Sequence, residues 1–120
     1  MNAVEIEEAV SLLAEQPFEA DAFPYAFLEA FGNKATTIKR LKSGSTNKSD
    51  VGGVLQRGNI HIKSCAQGKV AETLDALRES PTTASQKAKF TLATDGIEFQ
   101  AEDLMGGDTV ACAFPDFANH

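Results

Sequence analysis

Phe90-Thr91-Leu92-Ala93-Thr94, then Asp95-Gly96, then Ile97-Glu98-Phe99-Gln100-Ala101-Glu102 is the stretch whose reading decides the fold. Apolar and polar residues alternate on both sides of an Asp-Gly pair. That is the composition of a β-hairpin with a type I′ turn, whose two central residues both need positive φ. A second turn, Gly106-Gly107-Asp108, leads into Thr109-Val110-Ala111-Cys112-Ala113-Phe114. Three antiparallel strands are therefore predicted here.

Upstream, the period lengthens. Lys69 to Glu79 reads as a helix with Val70, Leu74 and Leu77 inward. Ser80-Pro81 reads as its stop, and Thr82 to Lys87 as a polar connection. Before it, Val54-Leu55-Gln56 and Asn59-Ile60-His61-Ile62-Lys63-Ser64-Cys65 read as two short strands turned by Arg57-Gly58. In the second, Ile60 and Ile62 point one way and His61, Lys63 and Cys65 the other, because side chains alternate along a strand.

The first third is helical. Residues 4–15 place Ile6, Ala9, Val10 and Leu13 on one stripe, with Glu5, Glu7 and Glu8 in the first turn and Pro17 as terminator. A second helix is predicted from Asp21, its N-cap, to Phe31, with Pro24 in the first turn and Gly32 as the stop. Its Phe23, Phe27 and Phe31 recur at i, i+4, i+8 and read as core. Asn33 is expected to cap a third helix, Lys34 to Lys42, with Ile38 and Leu41 inward and Lys39, Arg40 and Lys42 in solvent. Gly44 ends it, and residues 43–49 read as a flexible cationic loop. The order predicts an α+β (mixed α/β) single domain with N-terminal helices packed on a small, mostly antiparallel sheet. No internal repeat or linker is evident.

Composition narrows the function classes. The chain has 120 residues, 42% of them apolar and 23% charged, which suits one globular domain and excludes disordered or fibrous classes. It has no apolar run long enough to span a membrane. Its acidic start is unlike a signal peptide, and two cysteines make no disulfide framework, so a reducing cytoplasm is expected. The closing stretch, Phe114 to His120, is apolar and aromatic to the last residue, which is the composition expected of a domain from a longer protein.

Net charge is −6, and its distribution is uneven. Residues 1–33 hold seven acids and no Lys or Arg; residues 90–120 hold six acids and again neither base. All 11 Lys and Arg lie in residues 34–89, against four acids. A basic middle between acidic ends reads either as a solvated helix face or as one electropositive surface for a polyanion.

The residues that carry chemistry are few. His61, Cys65, Cys112 and His120 lack any CxxC or HxxxH spacing, so no zinc site is predicted. No G-x-S-x-G elbow and no phosphate-binding loop occurs. A metal-dependent nuclease needs hard oxygen ligands and a cation beside the attacked phosphate. Here Asp50 precedes the first hairpin, and His61-Ile62-Lys63 on its second strand puts His61 and Lys63 on one face. Imidazole is a poor Mg²⁺ ligand, so cleavage is expected to be crippled unless Glu98 or another acid moves in. On spacing alone, His61 and Lys63 read as the polar face of a half-buried strand.

Residues 21–117 resemble the N-terminal domain of MmeI-like DNA methyltransferases, which include fused restriction–modification enzymes. The resemblance rests on Phe23-Pro24-Tyr25-Ala26-Phe27-Leu28-Glu29-Ala30-Phe31-Gly32, on Thr37-Ile38-Lys39-Arg40-Leu41 leading to Asn47-Lys48-Ser49-Asp50, on Lys89-Phe90 to Asp95-Gly96, and on Ala111 to His120. It implies a restriction-endonuclease-like fold with a D…(D/E)xK site, in which Asp50, His61 and Lys63 hold the three positions. The departure at His61 implies a degenerate nuclease-like site. It also implies S-adenosylmethionine as cofactor of the full-length protein, bound by motifs beyond His120.

Three functions follow as expectations. The first is an accessory domain of an adenine-specific methyltransferase, holding double-stranded DNA through Lys34, Lys39, Arg40, Lys42, Lys48 and Arg57 and docking on other domains of the same chain. The second is a live Mg²⁺ or Mn²⁺ nuclease. The third is a protein-docking module with no nucleic-acid role.

Overall fold

A computed structural model describes residues 3–44, 46–114 and 116. Among these, the chain runs α1 (Ala3–Glu15), α2 (Phe23–Ala30), α3 (Ala35–Ser43), β1 (Val54–Gln56), β2 (Ile60–Ser64), α4 (Val70–Glu79), α5 (Pro81–Ser85), β3 (Phe90–Thr94), β4 (Glu98–Asp103) and β5 (Thr109–Ala113). The strands form one sheet in the order β1-β2-β3-β4-β5. The class is α+β, as the hairpin and helix patterns predict. The sheet is mixed: β1–β2, β3–β4 and β4–β5 are antiparallel, while β2 and β3 run parallel. A parallel pair needs a crossover connection, and α4 with α5 supplies it.

That crossover puts helices on both faces. On one face, Val10, Phe23, Phe27, Leu28, Ile38 and Leu41 from α1–α3 pack with Val54, Ile60, Ile62, Leu92 and Phe99. On the other, Val70, Leu74 and Leu77 of α4 cover Ala93. Burying each such Leu, Ile or Phe contributes roughly 1.5–3 kcal/mol, so these two layers carry most of the fold's stabilisation. The central strands are buried from both sides: Ile60, His61 and Ile62 on β2, and Leu92 and Ala93 on β3.

The helix ends depart from the sequence reading in informative ways. No side-chain cap forms at α2, whose N-cap is Ala22, so Asp21 does not serve. Asn33 does not cap α3 either; the N-cap is Lys34. Asn33 looks backward instead: its Nδ2 donates to Leu28 O at 2.9 Å, satisfying a carbonyl that the end of α2 leaves open. Ser80-Pro81 does not only stop α4. It opens α5, with Ser80 as N-cap and Pro81 in the first turn, where a missing N–H costs nothing.

The decisive hairpin is wider than a two-residue turn. Asp95 Oδ1 accepts the N–H groups of Ile97 at 2.9 Å and Glu98 at 2.8 Å, which draws Ile97 out of the strand. The register pairs Thr94 with Phe99, and Gly96 takes φ +89°. The phenylalanine stripe is core at Phe23 and Phe27, but Phe31 is 47% exposed. No helix among the described residues is long and apolar enough to cross a membrane. Of the closing aromatic stretch, Phe114 is buried and residues from 117 onward lie outside the described residues.

Candidate functional site

The segment between α3 and β1 is knit by its own side chains. Asn47 Oδ1 accepts from Ser49 N–H at 3.1 Å and Leu55 N–H at 2.9 Å, and Asn47 Nδ2 donates to Gly53 O at 3.0 Å. Residues 47–49 are therefore an ordered strap along β1 and not the loose loop their composition predicts.

The strap ends on His61, which is fully buried beneath α4 and α5. The half-buried polar face expected from strand alternation is thus corrected: the parity holds, but the crossover helices cover that side. The hydrogen bonds determine which ring nitrogen carries the proton. The single hydroxyl proton of Thr83 goes to Leu77 O at 2.6 Å, so Thr83 Oγ1 accepts from His61 Nδ1–H at 2.9 Å. On the other side, Ser49 Oγ accepts from Gly53 N–H at 3.0 Å and donates to His61 Nε2 at 2.7 Å. One neutral tautomer satisfies every partner. Burial pushes the imidazole pKa down to about 4; the charge of Lys63 adds to this, and that of Asp50 opposes it.

Asp50 and Lys63 sit beside this hub, each with its own partner. Asp50 Oδ1 accepts from Ser80 Oγ at 2.5 Å and Thr82 Oγ1 at 2.9 Å, and these bonds hold the exposed carboxyl below its ordinary range. Lys63 Nζ donates to Val51 O at 2.6 Å. The three residues are brought to one region, as the nuclease-like spacing expects. Strand alternation gives no sign of the partners Ser49, Thr83, Ser80 and Thr82. Ser80-Pro81 was a usable signal for the last two, since a Ser-Pro pair often opens a helix.

Metal ligation needs lone pairs that this arrangement has committed. Both imidazole nitrogens are hydrogen-bonded, and among the described residues no group of three His, Cys, Asp or Glu could hold a metal ion. Glu98 does not move in. The β4 residue in line with His61, through Thr91, is Glu102, two strand spacings or about 10 Å away. Glu98 lies four residues further along, about 13 Å at 3.3 Å per residue. Glu102 itself is held by Arg78 at 2.7 Å. The zinc candidates do not converge either. Cys65 packs on the α4 side and Cys112 on the α1–α3 side, and His120 lies outside the described residues.

The basic residues form the other part of the site. Lys34, Lys39, Arg40 and Lys42 are exposed on and before α3, Lys48 on the strap and Arg57 in the β1–β2 turn. Two contacts join these segments. Gln56 Nε2 donates to Asn33 Oδ1 at 2.9 Å, which brings the backbone beside Arg57 to the backbone beside Lys34. Lys48 N–H donates to Leu55 O at 3.2 Å. Lys42 also stands over the Tyr25 ring, 5.4 Å from its centroid.

The fold and this site define a class: an α+β domain on a five-stranded mixed sheet, with a neutral histidine hub beside an exposed basic helix and strap. Residues 1–120 match the family described as MmeI, N-terminal domain, and the chain belongs to that family, one of restriction–modification enzymes. No curated protein and no solved structure matches the chain.

Proposed function

We propose that this chain is the N-terminal accessory domain of a cytoplasmic, S-adenosylmethionine-dependent adenine DNA methyltransferase of a restriction–modification system, and that it holds duplex DNA without reading its sequence. The observation that carries the reading is the exposed basic surface of α3, the strap and the β1–β2 turn, on a domain of this family. Lysine and arginine ammonium and guanidinium groups match phosphate oxygens, and phosphate contacts position a protein without specifying bases. The cofactor and the methyl-transfer residues belong, in this reading, to other domains of the protein.

Within it, Asp50, His61 and Lys63 are a degenerate nuclease-like cluster on a restriction-endonuclease-like scaffold. The committed nitrogens of His61 support this, because a ligand position filled by a hydrogen-bonded imidazole offers Mg²⁺ no hard oxygen. Unmethylated plasmid incubated overnight with the protein and Mn²⁺ is expected to stay intact. Nicking that disappears in an Asp50→Ala variant would show a live nuclease instead.

The DNA contact has its own test. Replacing Lys39, Arg40 and Lys42 together by Ala removes three cations from one helix. Affinity for a short duplex is expected to fall, and the slope of log K against log salt to flatten by up to about 2.7, at about 0.9 per phosphate contact. All three side chains are exposed, and circular dichroism would verify that the variant folds. An unchanged slope would remove this surface from DNA binding.

A further inference from the structure

The sheet face under α1 and α2 is not fully covered. A half-open cavity of about 590 Å³ remains between Ile6 and Val10 of α1, Phe27 and Phe31 at the end of α2, and Phe90 and Val110 of the sheet. Its lining is apolar except at Glu7 and Asn59. Phe31 and Phe90 are 47% and 40% exposed there, although each is large enough to repay burial. A chain that spends two exposed phenylalanines on one opening presents a surface to a partner.

The charge around the opening says what kind. Apart from Asn59 and Ile60, its lining comes from residues 1–33 and 90–120, the two segments that hold no Lys or Arg. Glu7 lines the α1 wall. Asp103 pairs with Phe90 in the β3–β4 register and shares its side of the sheet. At the other end the backbone N–H of Lys89 donates to Asn59 O at 2.7 Å, so the acidic side is the α1 wall. The sequence's charge asymmetry thus becomes two faces: a basic one on α3 and the strap, and an acidic, apolar one here.

We infer that this groove receives a basic amphipathic α-helix from a protein partner. Such a helix lays apolar residues at i, i+3, i+4 and i+7 into the cavity and turns Lys or Arg toward α1. About 18 residues of helix are about 27 Å long, which matches the shortest extent of the molecule. The inference does not rest on the DNA reading, which uses other residues.

A fluorescein-labelled peptide of about 18 Leu and Lys residues in amphipathic order is the probe, read by anisotropy. Micromolar binding is expected. It should weaken about tenfold or more in a Phe31→Ala/Phe90→Ala variant, since buried aromatic anchors dominate such interfaces. A Glu7→Lys variant should also bind less, and a Leu/Glu peptide of the same pattern should bind at least tenfold more weakly. The Lys39, Arg40 and Lys42 replacement should leave peptide binding unchanged, which separates this result from failure of the DNA reading. Both phenylalanines are partly exposed, and circular dichroism would verify that the double variant folds. The inference is overturned by no binding, by equal binding of the Leu/Glu peptide, by binding indifferent to the two phenylalanines, or by self-association of the protein through them in place of peptide binding.

Discussion

A His61→Ala variant is expected to melt about 10–20 °C below the parent protein, from a loss of about 3 kcal/mol. Three effects add. The buried ring leaves a cavity against α4 and α5. The half-buried Ser49 hydroxyl loses its acceptor, at a cost of about 1 kcal/mol. The strap and α5 lose a shared partner on β2, since Ser49 and Thr83 meet through the two ring nitrogens. The same residue sets a pH dependence. Its folded pKa of about 4 lies below the ordinary 6.5, so the unfolded chain binds the extra proton first. The stability it contributes is complete above pH 6.5 and is lost as pH falls toward 4, up to about 3 kcal/mol. Asp50 acts in a lower window, because its carboxyl is held below 3.8 and its contribution fades only beneath that. Urea midpoints at pH 7.5 and 5.0 would show the slope in the parent and its loss in His61→Ala. Equal parent midpoints at both pH values would mean that His61 is not held as a buried neutral ring.

Gly53→Ala has a comparable expected cost, about 3–4 kcal/mol, through backbone and not side-chain crowding. A Cβ on Gly53 would collide with Ile62 O and come within 3.1 Å of Lys63 Cβ. Both belong to β2, which is fixed from both faces and cannot retreat. The strain therefore falls on β1, whose pairs Val54–Ile62 and Leu55–His61 follow at once. Gly53 also donates its N–H to Ser49 and accepts from Asn47, so the strap should loosen with the strand. Gly58→Ala is the control: its φ is +73° and nothing stands within 4 Å, so only conformational strain of about 1–2 kcal/mol is expected. Denaturant unfolding of the two variants would rank them. A Gly53→Ala protein within about 1 kcal/mol of the parent would show that β1 has room to shift.

Much of the fold is written in local periodicity. The alternation of residues 90–102, the helical stripe of residues 70–77 and the facing of Ile60 and Ile62 against His61 and Lys63 each depend on neighbours within a few residues. Those readings stand in the structure because strand and helix periods are backbone properties. Ends and turns were less legible. Asp95 turns its carboxylate onto the N–H groups two and three residues on, a local turn wider than the Asp-Gly pair alone suggests, while the oxygen of Asn33 is taken by Gln56, 23 residues away.

The site shows the same division over longer distances. That an acid, a histidine and a lysine gather beside the first hairpin follows from their spacing in the sequence, and so do the basic character of α3 and the acidity of the two flanking segments. Whether His61 meets solvent, metal or protein does not. That was decided when the α4–α5 crossover from β2 to β3 laid Thr83 of α5 against one ring nitrogen, 22 residues away, while the strap brought Ser49 to the other, 12 residues away. Hydrogen-bond partners at such separations leave no periodic trace in the chain, because chain closure over 10 or 20 residues costs nearly the same whichever hydroxyl arrives. Residue types and local periods thus come from the sequence alone; the burial, tautomer and charge of the histidine come only from the packed layers.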